Sequence, residues 1–456
     1  MNIVLRQDQN RVTEEIIENL KKGEKRILVQ APTGFGKTAM VAVLMQRGVA
    51  KGKKALFTAH LDSILTDTVD RLSEFDGLTV SRIQSGHKFN DNGNVYVGSI
   101  ATLDERKIYP KVDIIFIDEC HHGTSGRYMR FIEQYPDTII IGLTATPQRM
   151  DGIGMDNIFK ILIQGPTITE LIKNKILVKP TVYAPVIKPK GGLAMDPVEA
   201  YNKFCQNRQT AMFLLTRADA VKVSSQIPGS VIFDGDTPDD ERARIKRGIQ
   251  DGTIRCLVTV NAILEGFDAT ALDCILLARG FSSLTAYLQA IGRGLRACHL
   301  KHKDKKDCLV IDLSAACYQH GLPDQERIWT LTGKSFPHVN KPTVISRCEE
   351  CLAVFEGKGP CTRCGAKKDS ITLVRKMRIR YTGLEVMTPN RAMIEQAKFY
   401  VERMRFVLMK RGPYEWANKK VKTSSPLWVR KAMVVSGAWT KEEANLNESE
   451  ETKTAS

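Results

Sequence analysis

The chain has no apolar run long enough to cross a bilayer. Its first residues include Arg6 and Asp8, where a secretion signal needs an unbroken apolar core. A membrane role and export are therefore not expected, and a cytoplasmic protein of a bacterium or a phage-infected host is. Cysteine pairing logic is missing for seven of the eleven cysteines: Cys120, Cys205, Cys256, Cys274, Cys298, Cys308 and Cys317 are scattered, which suits a reducing compartment better than a disulfide framework. No acidic cluster stands out as a metal-dependent nuclease site. Negative charge is in deficit, with 51 Asp and Glu against 67 Lys and Arg and a formal net charge of +16, which points to a polyanionic partner. The excess is concentrated: residues 367–431 carry 17 basic against 5 acidic side chains, a net +12, and the sign reverses after Thr440.

At 456 residues, 43% of them hydrophobic, the chain is too long for one ordinary domain and can bury substantial cores. The fold class expected is α/β. Val12, Ile16, Ile17 and Leu20 fall at helical spacing, and short apolar runs at 26–30, 55–58, 95–99, 114–117 and 138–142 read as buried parallel strands separated by helices. A stretch rich in Pro, Gly and Lys from 164 to about 197 reads as a connection. Alternation resumes with strands at 211–215, 231–233, 256–260, 274–277 and 309–311. The domains expected are thus two tandem parallel-sheet lobes at 1–178 and 179–335, without repetition between them. A cysteine module at 336–371, a basic and mainly helical segment at 372–440 and an acidic, disordered tail at 441–456 follow.

Three motifs carry chemistry. Ala31-Pro32-Thr33-Gly34-Phe35-Gly36-Lys37-Thr38 lies between a predicted strand and a predicted helix. Backbone N–H groups of such a loop face phosphates, Lys37 reaches the β and γ phosphates of ATP, and the Thr38 hydroxyl suits Mg²⁺. The usual opening glycine is replaced by Ala31. Asp118 and Glu119 end the apolar run 114–117, at the sheet edge where ligands of open α/β sheets bind. Asp118 is expected to hold Mg²⁺ and Glu119 to deprotonate the attacking water. Cys120 and His121 alone make a poor metal site, and His121 reads instead as a coupling residue across the cleft with Gln289 as its partner. In Gln289-Ala290-Ile291-Gly292-Arg293-Gly294-Leu295-Arg296 the two arginines, three apart on a helix, share a face and can bring positive charge to a transferring phosphate from another lobe.

In this order the motifs resemble those of superfamily 2 helicases with a DECH box, and within that group the chain is similar to RadD-type DNA helicases; its compactness suits a phage or bacterial member. The resemblance covers roughly residues 5–330. It implies two RecA-like lobes that close on ATP and reopen on hydrolysis, stepping along one strand. Leu5-Arg6-Gln7-Asp8-Gln9 matches the opening motif, which implies that Gln9, with Arg6 beside it, reads the adenine. Thr58-Ala59-His60 and Ser99-Ile100-Ala101-Thr102-Leu103 match strand-contacting motifs, implying nucleic-acid contacts by Thr58, His60 and Thr102, with Ala101 in place of the common glutamine. Leu143-Thr144-Ala145-Thr146-Pro147 matches the motif that links hydrolysis to movement, so Thr144 and Thr146 join His121 as coupling residues. Residues 259–268 match a further motif, implying that Thr259 touches a phosphate and that Gly266 and Asp268 sit near the nucleotide. DNA is the expected partner, single-stranded or branched, in replication, recombination or repair. RNA, or protein displacement without strand separation, remains open. Repair partners such as a single-strand-binding protein and a monomeric state are also expected.

Cys348, Cys351, Cys361 and Cys364 form two CxxC pairs nine residues apart. Four thiolates in a closed set suit structural tetrahedral Zn²⁺ better than a disulfide or an iron–sulfur cluster. Beyond them Arg375, Lys376, Arg378, Arg380 and Tyr381, and then Arg403, Arg405, Lys410 and Arg411 near Phe399 and Tyr400, suit a surface that tracks phosphates and stacks on bases. Trp416, Trp428 and Trp439 read as core.

Overall fold

The computed structural model describes residues 4–59, 62–122, 126–148, 154–185, 192–260, 269–300, 303–332, 336–337, 344–348, 350–357, 359–367 and 371–376, with 401, 422, 433 and 440. His60, 149–152, Gly266, Asp268 and nearly all of the basic segment and tail lie outside the described residues.

The first lobe is one sheet of seven parallel strands. Across the sheet they are Val80–Ile83, Val95–Ser99, Ala55–Ala59, Ile114–Ile117, Ile139–Thr144, Arg26–Gln30 and Ile161–Gln164. Central strands covered by helices on both faces must be apolar at every position, and Ile27, Leu28 and Val29 are wholly buried. Each such side chain contributes about 1.5–3 kcal/mol through burial. Three adjacent strands, the fourth to the sixth across the sheet, end at Ile117, Thr144 and Gln30, so the acidic pair, the coupling threonines and the phosphate-loop candidate emerge side by side.

The second lobe is built around parallel strands Ser230–Phe233, Cys256–Val260, Thr210–Leu214, Cys274–Leu277, Asp307–Asp312 and Lys179–Tyr183, in that spatial order. The last of these corrects the reading of 164–197 as a plain connection. Helix Ile168–Lys173, opened by a capping box between Thr167 and Glu170, and strand Lys179–Tyr183 both lie there. The strand was hidden because Lys179 and Pro180 open it and only Val182 is a large apolar residue turned inward.

The same sheet then continues into the cysteine module. Val354 pairs with Val182, and antiparallel strands Val354–Glu356, Val344–Cys348 and Ile371–Lys376 complete nine strands. The module is therefore sheet-continuous with the second lobe, and Arg375 and Lys376, placed by sequence on a basic surface, belong to its outermost strand. Residues 380–456 form a separate compact unit, of which only the four single positions are described.

Candidate active site

Gly34 and Gly36 adopt φ values of 90° and 87°, which only glycine takes without strain. They turn the chain from Gln30 into helix Lys37–Val49, whose N-terminus has no side-chain cap, so its free N–H groups face the cleft. Phe35 is buried beneath the loop, and its carbonyl accepts from Gln9 Nε2 at 2.9 Å and Arg6 Nη2 at 2.7 Å. Gln9 also accepts the Arg6 N–H through Oε1 at 3.1 Å. The amide assigned to base reading is thus committed to fastening the first helix, Gln7–Lys21, to the loop. Arg6 lines a neighbouring groove with Asp8, Asn174 and Ile176. Lys37 donates from Nζ to Ala31 O at 3.1 Å, across the mouth of the loop.

Asp118 accepts the Glu119 N–H at 3.0 Å. Glu119 stands at φ 45°, a left-handed conformation that costs a side-chain-bearing residue about 1–3 kcal/mol and aims its carboxylate into the site. Glu119 Oε2 lies 3.3 Å from His121 Nδ1, which also contacts Thr144 Oγ1 at 3.1 Å. Thr144 in turn donates to Thr146 O and accepts the Thr146 N–H. Thr146 then crosses to the second lobe, its hydroxyl donating to Thr285 Oγ1 at 2.8 Å. Beside this chain Cys120 is fully buried, and burial pushes its thiol pKa up.

The contact expected between His121 and Gln289 is not made. Gln289 is buried, and among the described residues its Nε2 has no hydrogen-bond partner. The cross-lobe bond belongs to Thr146 and Thr285 instead. Thr285 and Gln289 sit on the same helix, Leu284–Leu295, Gln289 one turn beyond Thr285, and the shorter threonine faces the first lobe at the helix start, where Ser283 caps it.

The arginines need a correction of geometry but not of place. Arg293 is in the last helical turn, whereas Arg296 follows the helix end in extended backbone, so they do not share a helix face. Both nevertheless line one cleft of about 350 Å³ with Thr33, Gly34, Gly36, Lys37, Thr38, Asp118 and Glu119. The approach is tight. A Cβ on Gly292 would stand 2.9 Å from Thr33 Cβ, and one on Gly34 would stand 3.1 Å from Arg296 Cγ. Gly294 has a different purpose, letting its helix lie on Ile275 and Cys308 of its own sheet.

Two family models match the chain: the type III restriction enzyme res subunit over residues 2–149, and the helicase conserved C-terminal domain over 198–298. A 51.5 kDa protein of a Lactococcus phage is 25% identical over 370 residues, covering 74% of this chain and 77% of the phage protein. A protein of Saccharomyces cerevisiae named as a candidate ATP-dependent helicase, IRC3, is 26% identical over 363 residues, 69% of this chain and 52% of the yeast one. The chain thus matches about half of that relative's length. Among solved structures, a fragment of a candidate HsdR subunit of a type I restriction enzyme from Vibrio vulnificus YJ016 superposes with a TM-score of 0.57 at 19% identity, covering 74% of this chain and 68% of that one.

The chain carries the paired domains of a superfamily 2 helicase. Such helicases use ATP with Mg²⁺. The donor set fits the ion, since the Thr38 hydroxyl and the Asp118 carboxylate share the cleft wall below the loop.

The helicase buries three of the residues assigned to nucleic acid. Thr58 and Thr259 are completely enclosed in strands Ala55–Ala59 and Cys256–Val260, and in this conformation neither reaches solvent. Thr102 is buried at the start of helix Ile100–Arg106, its hydroxyl held by Ser99 at 2.9 Å. Thr58 and Thr259 are strand residues, which β-branching suits, and Thr102 donates its N–H to the Ser99 cap at 3.1 Å. Sequence reasoning passed over Thr285, and also Asp67, Thr68 and Arg71 on helix Asp62–Ser73, which line the outer cleft wall. Nothing in their spacing marks them; only the packing does.

The four cysteines of the module bring their sulfurs within 4.8 Å of one another, with Cys348–Cys364 at 3.6 Å and Cys351–Cys361 at 3.5 Å. Sulfurs about 2.3 Å from a tetrahedral Zn²⁺ stand about 3.8 Å apart, far beyond a disulfide length, so the set fits zinc. Arg363 donates its N–H to Cys361 Sγ at 3.4 Å, and its guanidinium lies over the Tyr183 ring at 5.2 Å, tying the knuckle to the second lobe. No helix among the described residues is long and apolar enough to cross a membrane.

Proposed function

We propose that this helicase is a DNA translocase of the RadD type that uses ATP to move along, and to unwind or remodel, branched or forked DNA in replication, recombination or repair. One observation carries the motor part: loop 33–38, the acid pair and both arginines meet in a single cleft at the seam of two lobes. In this reading Lys37 and the loop N–H groups hold the β and γ phosphates, and Thr38 and Asp118 hold Mg²⁺. Glu119 takes the proton of the attacking water, oriented by His121. Arg293 and Arg296 meet the charge that develops on the transferring phosphoryl group. The base takes the groove beside Arg6 and Ile176, Gln9 acting on it through the loop it braces, and the assignment of Gly266 and Asp268 to the nucleotide rests on the motif at 259–268. The bond between Thr146 and Thr285 reports the state of Glu119 and His121 to the second lobe, and Gln289 is left as a packing residue of that helix.

Support for DNA comes from the restriction-enzyme names of the matching family and structure and from the net +12 of residues 367–431. The nucleic-acid contacts read at Thr58, Thr102 and Thr259 then belong to the surfaces around those positions, and His60 keeps its assignment to nucleic acid from its motif. A structural Zn²⁺ on Cys348, Cys351, Cys361 and Cys364 closes the sheet extension, and the protein acts as a monomer in the cytoplasm with repair proteins as partners. The deciding experiment is an ATPase and strand-displacement panel on single-stranded, duplex, forked and four-way DNA and on RNA. Stimulation and displacement are expected to be strongest on forked or four-way DNA. Stronger stimulation by RNA would overturn the DNA assignment, and equal activity on all DNA forms would overturn the branch preference.

A further inference from the structure

We propose that Lys305 is a positioning residue that fixes the backbone of Arg296 for phosphoryl transfer. Lys305 is 95% buried, although it is a lysine next to a charged turn. Its ammonium donates to Arg296 O at 2.7 Å, to Thr270 O at 3.2 Å and to Leu272 O. An ammonium has three N–H donors and no acceptor, so three inward carbonyls match its full capacity. A lysine is almost never enclosed unless its charge is met in this way.

The carbonyls come from two segments that both reach the ATP cleft. Thr270 and Arg296 line it, and residues 270–272 follow directly on the motif read at 259–268. Lys305 reaches them because the chain leaves Arg296 and turns back through the short antiparallel pair His299–Leu300 and Lys303–Asp304, and the Lys305 N–H then closes on Cys298 O at 3.1 Å. The other side of Arg296 is flanked by backbone hydrogen bonds: Val178 N–H donates to Leu295 O at 2.7 Å and Ala297 N–H to Ile176 O at 3.2 Å. Arg296 has left the helix, so helical hydrogen bonds no longer fix its direction. Lys305 supplies what the helix end gives up, and it joins the finger to the Thr270 wall of the same cleft.

The inference rests on the reading that Arg296 completes the ATP site, and the test separates the two. Lys305→Met, Arg296→Ala and the double variant are compared with the full-length protein for nucleic-acid-stimulated kcat, for KM of ATP and by thermal melting. A displaced finger costs on the order of 10–10² in kcat. Lys305→Met is therefore expected to lose that much with KM changed less than about 3-fold, and the double variant to be no slower than Arg296→Ala, since groups acting through one another are not additive. Lys305→Arg is expected to restore part of kcat, because it keeps the charge but cannot direct three donors from one atom. It carries the same comparison should Lys305→Met not melt cooperatively. Wild-type kcat in Arg296→Ala would remove the finger and this role with it. A slow Arg296→Ala beside a Lys305 variant that keeps full kcat, or a double variant slowed by the product of both losses, would overturn the positioning role alone.

Discussion

Thr146 and Thr285 join their hydroxyls at 2.8 Å across the boundary between the two lobes, buried from solvent. On one side the bond connects through Thr144 and His121 to Glu119, and on the other it holds the first turn of the helix whose last turn carries Arg293. In the proposed function, the catalytic base and the arginine fingers are therefore the two ends of one connected path. A neutral hydrogen bond of this kind contributes about 0.5–1.5 kcal/mol, enough to slow a coupled step about 10-fold.

Thr285→Val keeps shape and removes the bond. Stimulated kcat is expected to fall about 3- to 10-fold with the KM for ATP nearly unchanged, and Thr146→Val/Thr285→Val is expected to be no slower than the worse single variant. Steady-state kinetics on all three check this; a double variant slower than either single would mean the two hydroxyls act separately.

Glu119→Gln should bind nucleotide and fail to turn it over, with kcat lower by about 10²–10⁴. Fluorescent-nucleotide titration beside an ATPase assay reads both. Retained turnover would show that another group takes the proton.

Gly292 measures how closely the lobes must meet. A methyl group there collides with Thr33, so Gly292→Ala should fold normally but lose kcat about 10-fold or more by holding the arginines off the phosphates. Gly280→Ala, where a Cβ meets nothing within 4 Å, is the matched control and should be silent.

Asp104 carries the pH dependence. Arg130 and Lys107 hold its carboxyl down to about 2, well below an ordinary aspartate. Because the folded pKa is the lower one, its contribution to stability is present above about pH 4 and is lost as pH falls toward 2. Melting curves of the wild type and Asp104→Asn should differ at pH 6 and converge in that window; a gap unchanged at pH 2.5 would contradict the pairing.

Zinc content tests the module. Metal analysis should find one Zn²⁺ per chain, and chelation should lower the melting temperature, because strand Val354–Glu356 pairs directly with Lys179–Tyr183 of the second sheet. Absence of zinc from native protein would contradict the assignment.

Much of this molecule was legible because central parallel strands leave continuous apolar runs and because phosphate loops need glycine at fixed places. Strands 26–30, 95–99, 114–117, 256–260 and 274–277 were found to the residue. Val80–Ile83 and Ile161–Gln164 were not, since edge strands carry Arg82 and Gln164 without penalty. Arg293 and Arg296 were placed at the loop by the pattern of their motif, but the helix stop between them was invisible. Thr285 and Lys305 stayed hidden because their value lies in partners more than a hundred residues away, or in carbonyls that no side chain announces.

Arg293 lines the cleft of loop 33–38 although it belongs to the other lobe. Single-turnover hydrolysis by Arg293→Ala, measured beside its nucleotide affinity, is predicted to slow about 10³-fold or more while affinity stays within a few-fold. Hydrolysis at the wild-type rate would contradict a site completed from both lobes.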